Sequence, residues 1–284
     1  MHARLLVLFN LLLLLLACVF IGKTQAIAGI LKIETQTTVE VAGDLLKVTV
    51  NVTNNGTEPA HNVQVHLHTL GQHQDSPIKP QLDSGQSETV LFEKTISGKK
   101  QGRYPLTVYV DFHDSNQYPF SALSGMTFHV DEDVNPNLIA LAEDITLEQN
   151  GELSIDIKNL GPRSKEVLVS LILPKELSAQ RQTINFEMDP RSEKRLDFRL
   201  TNFSALPGAN YPIFCYIEYD LENTHYTAIA KAAVNITKEE NLFRRFRWVW
   251  ITLAAILAAL LIVVIIKERR KKSRGQYESD LPRR

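Results

Sequence analysis

The sequence predicts an all-β ectodomain, two tandem immunoglobulin-like β-sandwiches, followed by one transmembrane α-helix. Three observations carry this expectation. Apolar and polar residues alternate with a period of two over short runs separated by Gly, Pro and Asn clusters, the pattern of half-buried strands. A stretch of about 70 residues is written twice, at an offset of roughly 105. Long uncharged apolar segments lie near both ends of the 284-residue chain.

Taken from the N-terminus, residues 5–21 are apolar except for Asn10 and follow a single base, Arg4. Thr24-x-Ala26 and Ala26-x-Ala28 then fit a small-residue cleavage site. This predicts a secretory signal peptide over residues 1–26. Two alternatives stay open. One is an uncleaved N-terminal anchor. The other is a lipoprotein, because Leu15-Leu16-Ala17-Cys18 approximates a lipid-attachment box.

The repeat defines the body. Val48, Val50 and Val52 alternate with Thr49, Asn51 and Thr53, and Asn54-Asn55-Gly56 closes that strand with residues that tolerate positive φ. Val63, Val65 and Leu67 repeat the alternation on a strand read as its partner. Leu106, Val108, Val110 and Phe112 form a third inward row. In the second copy Asn159 takes the place of Asn54 and Gly161 that of Gly56. Val167, Val169 and Leu171 take the places of Val63, Val65 and Leu67, and Tyr211 to Tyr219 follow Tyr104 to Phe112. Short strands in units of about 100 residues predict antiparallel sandwiches at 29–131 and 138–237. Cys215 occupies the place of Val108, so it is expected in the core rather than as a nucleophile.

Residues 248–266 contain no charge and one polar side chain, Thr252. At about 1.5 Å per residue they match the roughly 30 Å hydrocarbon core. Trp248 and Trp250 stand at one end, where indoles favour the interface, and eight Lys/Arg fill residues 267–284. The expected topology is single-pass in the cell membrane, with the domains outside and a basic cytoplasmic tail. The formal net charge of −1 conceals this division, since residues 27–266 hold 21 bases against 29 acids.

The string formed by Val48, Val50, Val52, Asn54, Gly56, Ala60, Asn62, Val63, Val65 and Leu67 resembles the bacterial CARDB family of cell-adhesion-related modules. Tyr104-Pro105-x-x-Val108-x-Val110 is similar to the same group. The second copy departs from the pattern, with Leu160 after its Asn and Lys165-Glu166 where the family usually shows Ala and Asn. The resemblance implies an immunoglobulin-like fold, a surface location and a spacer or binding role. It transfers no catalytic residue.

Catalytic motifs are missing from the sequence: no GxSxG, HExxH, phosphate-binding loop, dinucleotide fingerprint or CxxC occurs. The candidate chemical cluster is His61, His66, His68 and His73, four of the eight His within 13 residues. If Val65 and Leu67 face inward, His66 and His68 share the outward face about 7 Å apart, within reach of a borderline metal such as Zn²⁺ or Cu²⁺. An exposed strand face that happens to use His is the other reading. Asp131, Glu132, Asp133, Asn135 and Asn137 between the units offer hard oxygen ligands for calcium, or a solvated acidic linker. No cofactor is expected, and the acidic body with its extracytoplasmic placement speaks against nucleic acid. The expectation is a non-enzymatic membrane-anchored surface or periplasmic protein that presents two domains to another protein or a glycan, for adhesion or scaffolding. The alternative is an accessory subunit of a larger membrane complex, such as transport, secretion or polysaccharide machinery. The helix alanines Ala254, Ala255, Ala258 and Ala259 support it, since small residues permit close packing.

Overall fold

The computed structural model describes residues 29–237 together with 246, 248–252, 255–256, 262–263 and 266–267. The signal segment 1–26 lies outside the described residues, as do 253–254, 257–261 and 264–265 of the apolar segment and 268–284 of the basic tail. Among the described residues no helix is long and apolar enough to cross a membrane.

The first half begins with β1 (Ile33–Ala42), β2 (Leu45–Asn54), β3 (Ala60–Thr69) and β4 (Gln72–Asp75). It continues with β5 (Lys79–Leu82), β6 (Ser87–Thr95), β7 (Gln101–His113) and β8 (Pro119–Val130). Strands β1-β2-β6 form one sheet, and β3, β4, β5, β7 and β8 belong to a second. Between them lie Val48, Val50, Val52, Val63, Val65, Leu67, Leu106, Val108 and Val110, all buried. Each such side chain contributes about 1.5–3 kcal/mol by leaving water, which is what the period-2 pattern achieves.

The row Val63, Val65, Leu67 is inward, as the alternation requires, but β3 does not pair with β2. It pairs with β4, β5 and β7, and faces β2 across the core. Residues 54–60 are therefore a crossing from one sheet to the other, and Asn54 holds it. The side chain is fully buried. Its Nδ2 donates to the carbonyls of Glu58 (2.8 Å) and Leu82 (3.0 Å), and its Oδ1 accepts the Gly56 N–H (2.9 Å). Gly56 is not at positive φ. It is needed because a Cβ there would overlap the carbonyl oxygen of Ile30.

The second half repeats the plan with β9 (Leu138–Ala142), β10 (Ile145–Leu147), β11 (Asn150–Asn159), β12 (Lys165–Ile172) and β13 (Leu177–Ala179). After these come β14 (Thr183–Met188), β15 (Glu193–Asn202), β16 (Asn210–Leu221) and β17 (Thr224–Ile236). The sheet β13-β15-β11-β9 faces β12, β14, β16, β17 and β10. Asn159 reproduces the corner, donating to Arg163 O (3.0 Å) and Asp189 O (2.8 Å) and accepting from Gly161 N–H (3.0 Å).

Cys215 lies on the inner face of β16 at 1% exposure, and burial pushes its thiol up to about 12. A protonated, enclosed thiol is a poor nucleophile. Peptide mapping after maleimide treatment is expected to find Cys215 unmodified in the native chain and fully modified in denaturant. Native-state labelling would show that the inner face of β16 opens.

Among the described residues, 29–205 together with Asn210–Asn235 form one compact unit, and Leu206–Ala209 with the described residues from Ile236 form another. Both halves of the strand repeat thus fall within the first unit. In the second, Gly208 N–H donates to Ile236 O and Ile236 N–H to Ala209 O, each at 2.9 Å. Its residues 248–252 are helical, with the Thr252 hydroxyl turned back to the carbonyls of Trp248 and Val249.

Candidate functional site

The candidate site lies where the two sandwiches meet. A single ten-stranded sheet passes through both, in the order β14-β12-β16-β17-β7-β3-β4 with β5, β8 and β10 attached. Its central link is short: β17 and β7 pair in parallel only at Thr224↔Gln101 and His225↔Gly102. Gly102 sits at φ +134, and a Cβ there would overlap the backbone of His225.

Strand β16 shows how the second sandwich is built to be covered. Ile213, Cys215 and Ile217 face its core, yet Phe214 and Tyr216 on the opposite face are buried as well. They pack on Gly125 of β8, where a Cβ would stand 2.7 Å from the Phe214 ring and 2.7 Å from the Tyr216 hydroxyl. The Tyr216 hydroxyl donates to Leu106 O (2.7 Å) and accepts from Thr107 Oγ1 (3.2 Å). Burial pushes that phenol up to about 12. Nearby, Glu176, at 2% exposure, accepts the Ser121 N–H and the Ser121 hydroxyl, each at 2.6 Å. A buried carboxylate satisfied by donors of the other sandwich fixes the contact strongly, because removing either partner strands the other.

Two charge chains flank this packing. In one, His66 lies between Asp75 (Nδ1, 2.7 Å) and Asp111 (Nε2, 3.0 Å), and Lys175 of the second sandwich reaches Asp111. In the other, His225 lies between Asp220 (Nδ1, 2.7 Å) and Glu218 (Nε2, 3.3 Å), and Lys100 of the first sandwich donates to Asp220 at 2.7 Å. Each chain has a carboxylate, an imidazole and a second carboxylate, closed by a lysine from across the joint. Between the sandwiches opens a groove of about 470 Å³ whose polar lining includes His68, His73, Lys99, Glu218 and His225.

The four histidines singled out in the sequence are thus dispersed. His66 and His68 share the outward face of β3, as the alternation predicts, but both ring nitrogens of His66 are engaged by carboxylates. His68 stands 5.8 Å from the His73 ring and edge-on to Tyr109. Burial, and then the charges of His73 and His66, hold its pKa below the ordinary imidazole value. His61 is opposite His113 and Gln81, beyond a register shift in β3 and about 17 Å along the strand from His66. Among the described residues no three His, Cys, Asp or Glu are placed to hold a metal ion. The acidic linker is also occupied from within the chain. Arg103 donates to Asp133 Oδ1 and Asn135 Oδ1 at 3.2 Å each, so a guanidinium stands where these oxygens would meet a cation.

Sequence reasoning missed Glu176, Glu218, Asp220 and His225. A signal was present in Ile213-Phe214-Cys215-Tyr216-Ile217, an unbroken apolar run that marks a strand covered on both faces.

Sheets packed around two repeated cores, with a polar groove at their joint, define a tandem β-sandwich protein of immunoglobulin type. Residues 29–116, the larger part of the first sandwich, match the model of the CARDB family. No curated protein matches the chain. Among solved structures, it is similar to trypsin-activated alpha-2-macroglobulin from Escherichia coli, at 15% identity and a TM-score of 0.30. That match covers 73% of this chain and 18% of the other. A Salmonella alpha-2-macroglobulin mutant matches at 12% identity and a TM-score of 0.31, over 73% and 16%. Red sea bream transglutaminase matches at 11% and 0.24, over 71% and 31%. The chain therefore spans less than a third of the length of each of these proteins.

Proposed function

We propose that this chain is a non-enzymatic interaction module, two immunoglobulin-like sandwiches held as one body and carried outside the cell membrane on the 248–266 helix. The observation that supports it best is the joint. Buried Glu176 and Tyr216, with the β7–β17 pairing, join two small domains into one support. A support of this kind serves to hold a protein or glycan partner at a fixed place. The acidic body favours basic or cation-bridged partners. The anchor rests on the apolar 19 residues, their flanking tryptophans and the basic tail.

The test is membrane fractionation followed by gentle solubilisation of the full-length chain. It is expected to resist alkaline carbonate extraction and to expose its sandwiches, but not its tail, to protease added outside. Replacing residues 248–266 with a polar linker should release it. A wild-type chain extracted by carbonate would refute the anchor. Ala254, Ala255, Ala258 and Ala259 favour the second reading, an accessory subunit of a membrane complex. A stoichiometric integral-membrane partner that disappears on replacing the helix would establish that reading instead.

A further inference from the structure

We infer that one end of the body is a bilayer-contact surface: Ile30, Tyr118 and Phe203, exposed apolar side chains at the end where the chain leaves β17, dip into the headgroup region of the membrane that holds the anchor. The inference rests on the reading of residues 248–266 as that anchor. Strand directions define the end. β7 and β17 pair in parallel, so His113 and Asn235 lie toward the same side. His113 is opposite His61 and Pro119, Ile33 is opposite Asn54, and Asn235 is opposite Asn210. The chain therefore enters β1 and leaves β17 at one end, and the loops that follow β7 and β15 turn there.

The two sandwiches keep this alignment along their strands. Tyr216 is bonded to Leu106, Phe214 packs on Gly125, and Glu176 is bonded to Ser121. Glu176 also brings the two loops together. Its carboxylate takes Ser121, while its carbonyl oxygen accepts the Phe203 N–H (2.9 Å) and the Ser204 N–H (3.2 Å). Tyr118 stands three residues before Ser121, about 10 Å along the strand. The apolar tips of both sandwiches are thus neighbours on one surface.

Each of the three is presented by a tied segment. Phe203 is 82% exposed, yet Asn202 beside it bonds Glu148 O and Ala205 O through Nδ2 and the Ala205 N–H through Oδ1. Asp114 Oδ1 accepts the N–H groups of Asn116 and Tyr118, each at 2.8 Å, and the Tyr118 ring lies 5.2 Å from that of Phe120. The Ile30 N–H donates to Thr57 Oγ1 (2.9 Å) and the Thr57 N–H to Ile30 O (2.7 Å). Loops already fixed with their apolar side chains in water lose little freedom on insertion, and the bilayer removes that apolar area from water. Chain length selects the occupant. Eleven residues, 237–247, separate Ile236 from Trp248 and reach at most about 40 Å. They keep this end close to the bilayer, which raises the effective concentration of lipid surface at the three side chains.

The experiment uses the full-length chain carrying Cys18→Ser in phosphatidylcholine vesicles, whose lipid has no net charge, so that a contact seen there is apolar. One nitroxide at a time is placed on Ile30→Cys, Tyr118→Cys or Phe203→Cys, while Cys215, enclosed in the core, stays unlabelled. Asp44→Cys, in the turn between β1 and β2 at the opposite end, gives the water reference, and Ile256→Cys gives the bilayer reference. Power-saturation spin resonance compares collision with oxygen, which partitions into lipid, and with a water-soluble nickel chelate. The ratio of oxygen to nickel collision at Ile30, Tyr118 and Phe203 is expected to lie between the two references. Adding Tyr118→Asp and Phe203→Asp should return the label at Ile30 to the Asp44 value. A bilayer value at Ile256 with water values at the three sites overturns the contact and leaves the anchor standing. Water values at all positions overturn both. Low collision with both reagents marks a protein cover and overturns the bilayer as occupant. Every labelled position is exposed, so the refuting results come from chains whose cores are intact.

Discussion

Asn159→Ala is expected to destabilise the second sandwich by about 3–5 kcal/mol, because the buried amide it removes serves four partners. Three are backbone groups: Arg163 O, Asp189 O and Gly161 N–H. The fourth is the Lys165 ammonium, 2.8 Å from Asn159 Oδ1 in a side chain only 4% exposed. Burial already holds the lysine pKa below its ordinary value, and the face of Tyr219 at 5.3 Å is its other contact. Losing the acceptor leaves a buried cation without a hydrogen bond, the costliest kind of truncation. Asn54→Ala removes the same corner from the first sandwich without stranding a charge, and a loss of about 2–3 kcal/mol is expected. Asn55→Ala is the control. Its amide reaches only exposed Glu34, at 2.7 Å, and the cost should stay within about 0.5 kcal/mol. Hydrogen exchange of the β2 and β11 amides in the full-length chain measures both sandwiches in one experiment. The corner explanation fails if the three variants lose protection equally. Adding Lys165→Met to Asn159→Ala should recover part of the loss, and the cycle isolates the charged component.

The same corners show how far the sequence could be read. Asn-x-Gly at the ends of β2 and β11 marks a real chain reversal, but the reason is the buried amide and the lack of room for a Cβ, not positive φ. Alternation reports which side chains face the core. It does not report whether two inward rows lie in one sheet or in opposing sheets, since both produce the same pattern. Hence Val63, Val65 and Leu67 were legible as core residues, while the pairing of their strand with β7 rather than β2 was not. The site is less legible still. His66 on an outward face follows from period two, but its acids lie 9 and 45 residues away, and the lysine that completes the chain belongs to the other sandwich. No local pattern encodes contacts of that separation. The apolar run from Ile213 to Ile217 announces cover on both faces without naming what supplies it. That cover is Gly125, a residue whose lack of a side chain carries no hydrophobic signal at all.

Gly102→Ala should loosen the joint between the sandwiches while leaving each one folded. At φ +134 an alanine is strained by about 1–3 kcal/mol, and its methyl would occupy the place of the His225 carbonyl oxygen. Relief requires β7 to move off β17, and that breaks half of a two-pair link. The rest of β7 is secured by β3 on one side and β8 on the other, so the first core is retained. Tyr104 then leaves the His225 ring and Lys100 leaves Asp220. The expected results are faster cleavage of the 131–137 linker by added protease and unchanged exchange protection in β2 and β11. Gly98→Ala is the matched control. Gly98 also has positive φ, at +75, but no atom lies within 4 Å of its missing Cβ. It should cost about 1 kcal/mol and leave the joint closed. Glu176 and Tyr216 remain as the second attachment, so the separation is partial, and Tyr216→Phe, which removes the hydroxyl bonded to Leu106 and Thr107, should widen it. If Gly102→Ala instead abolishes protection throughout the first sandwich, then β17 is part of that core. The two halves would fold only together, and the groove between them would be a fixed cavity rather than a joint.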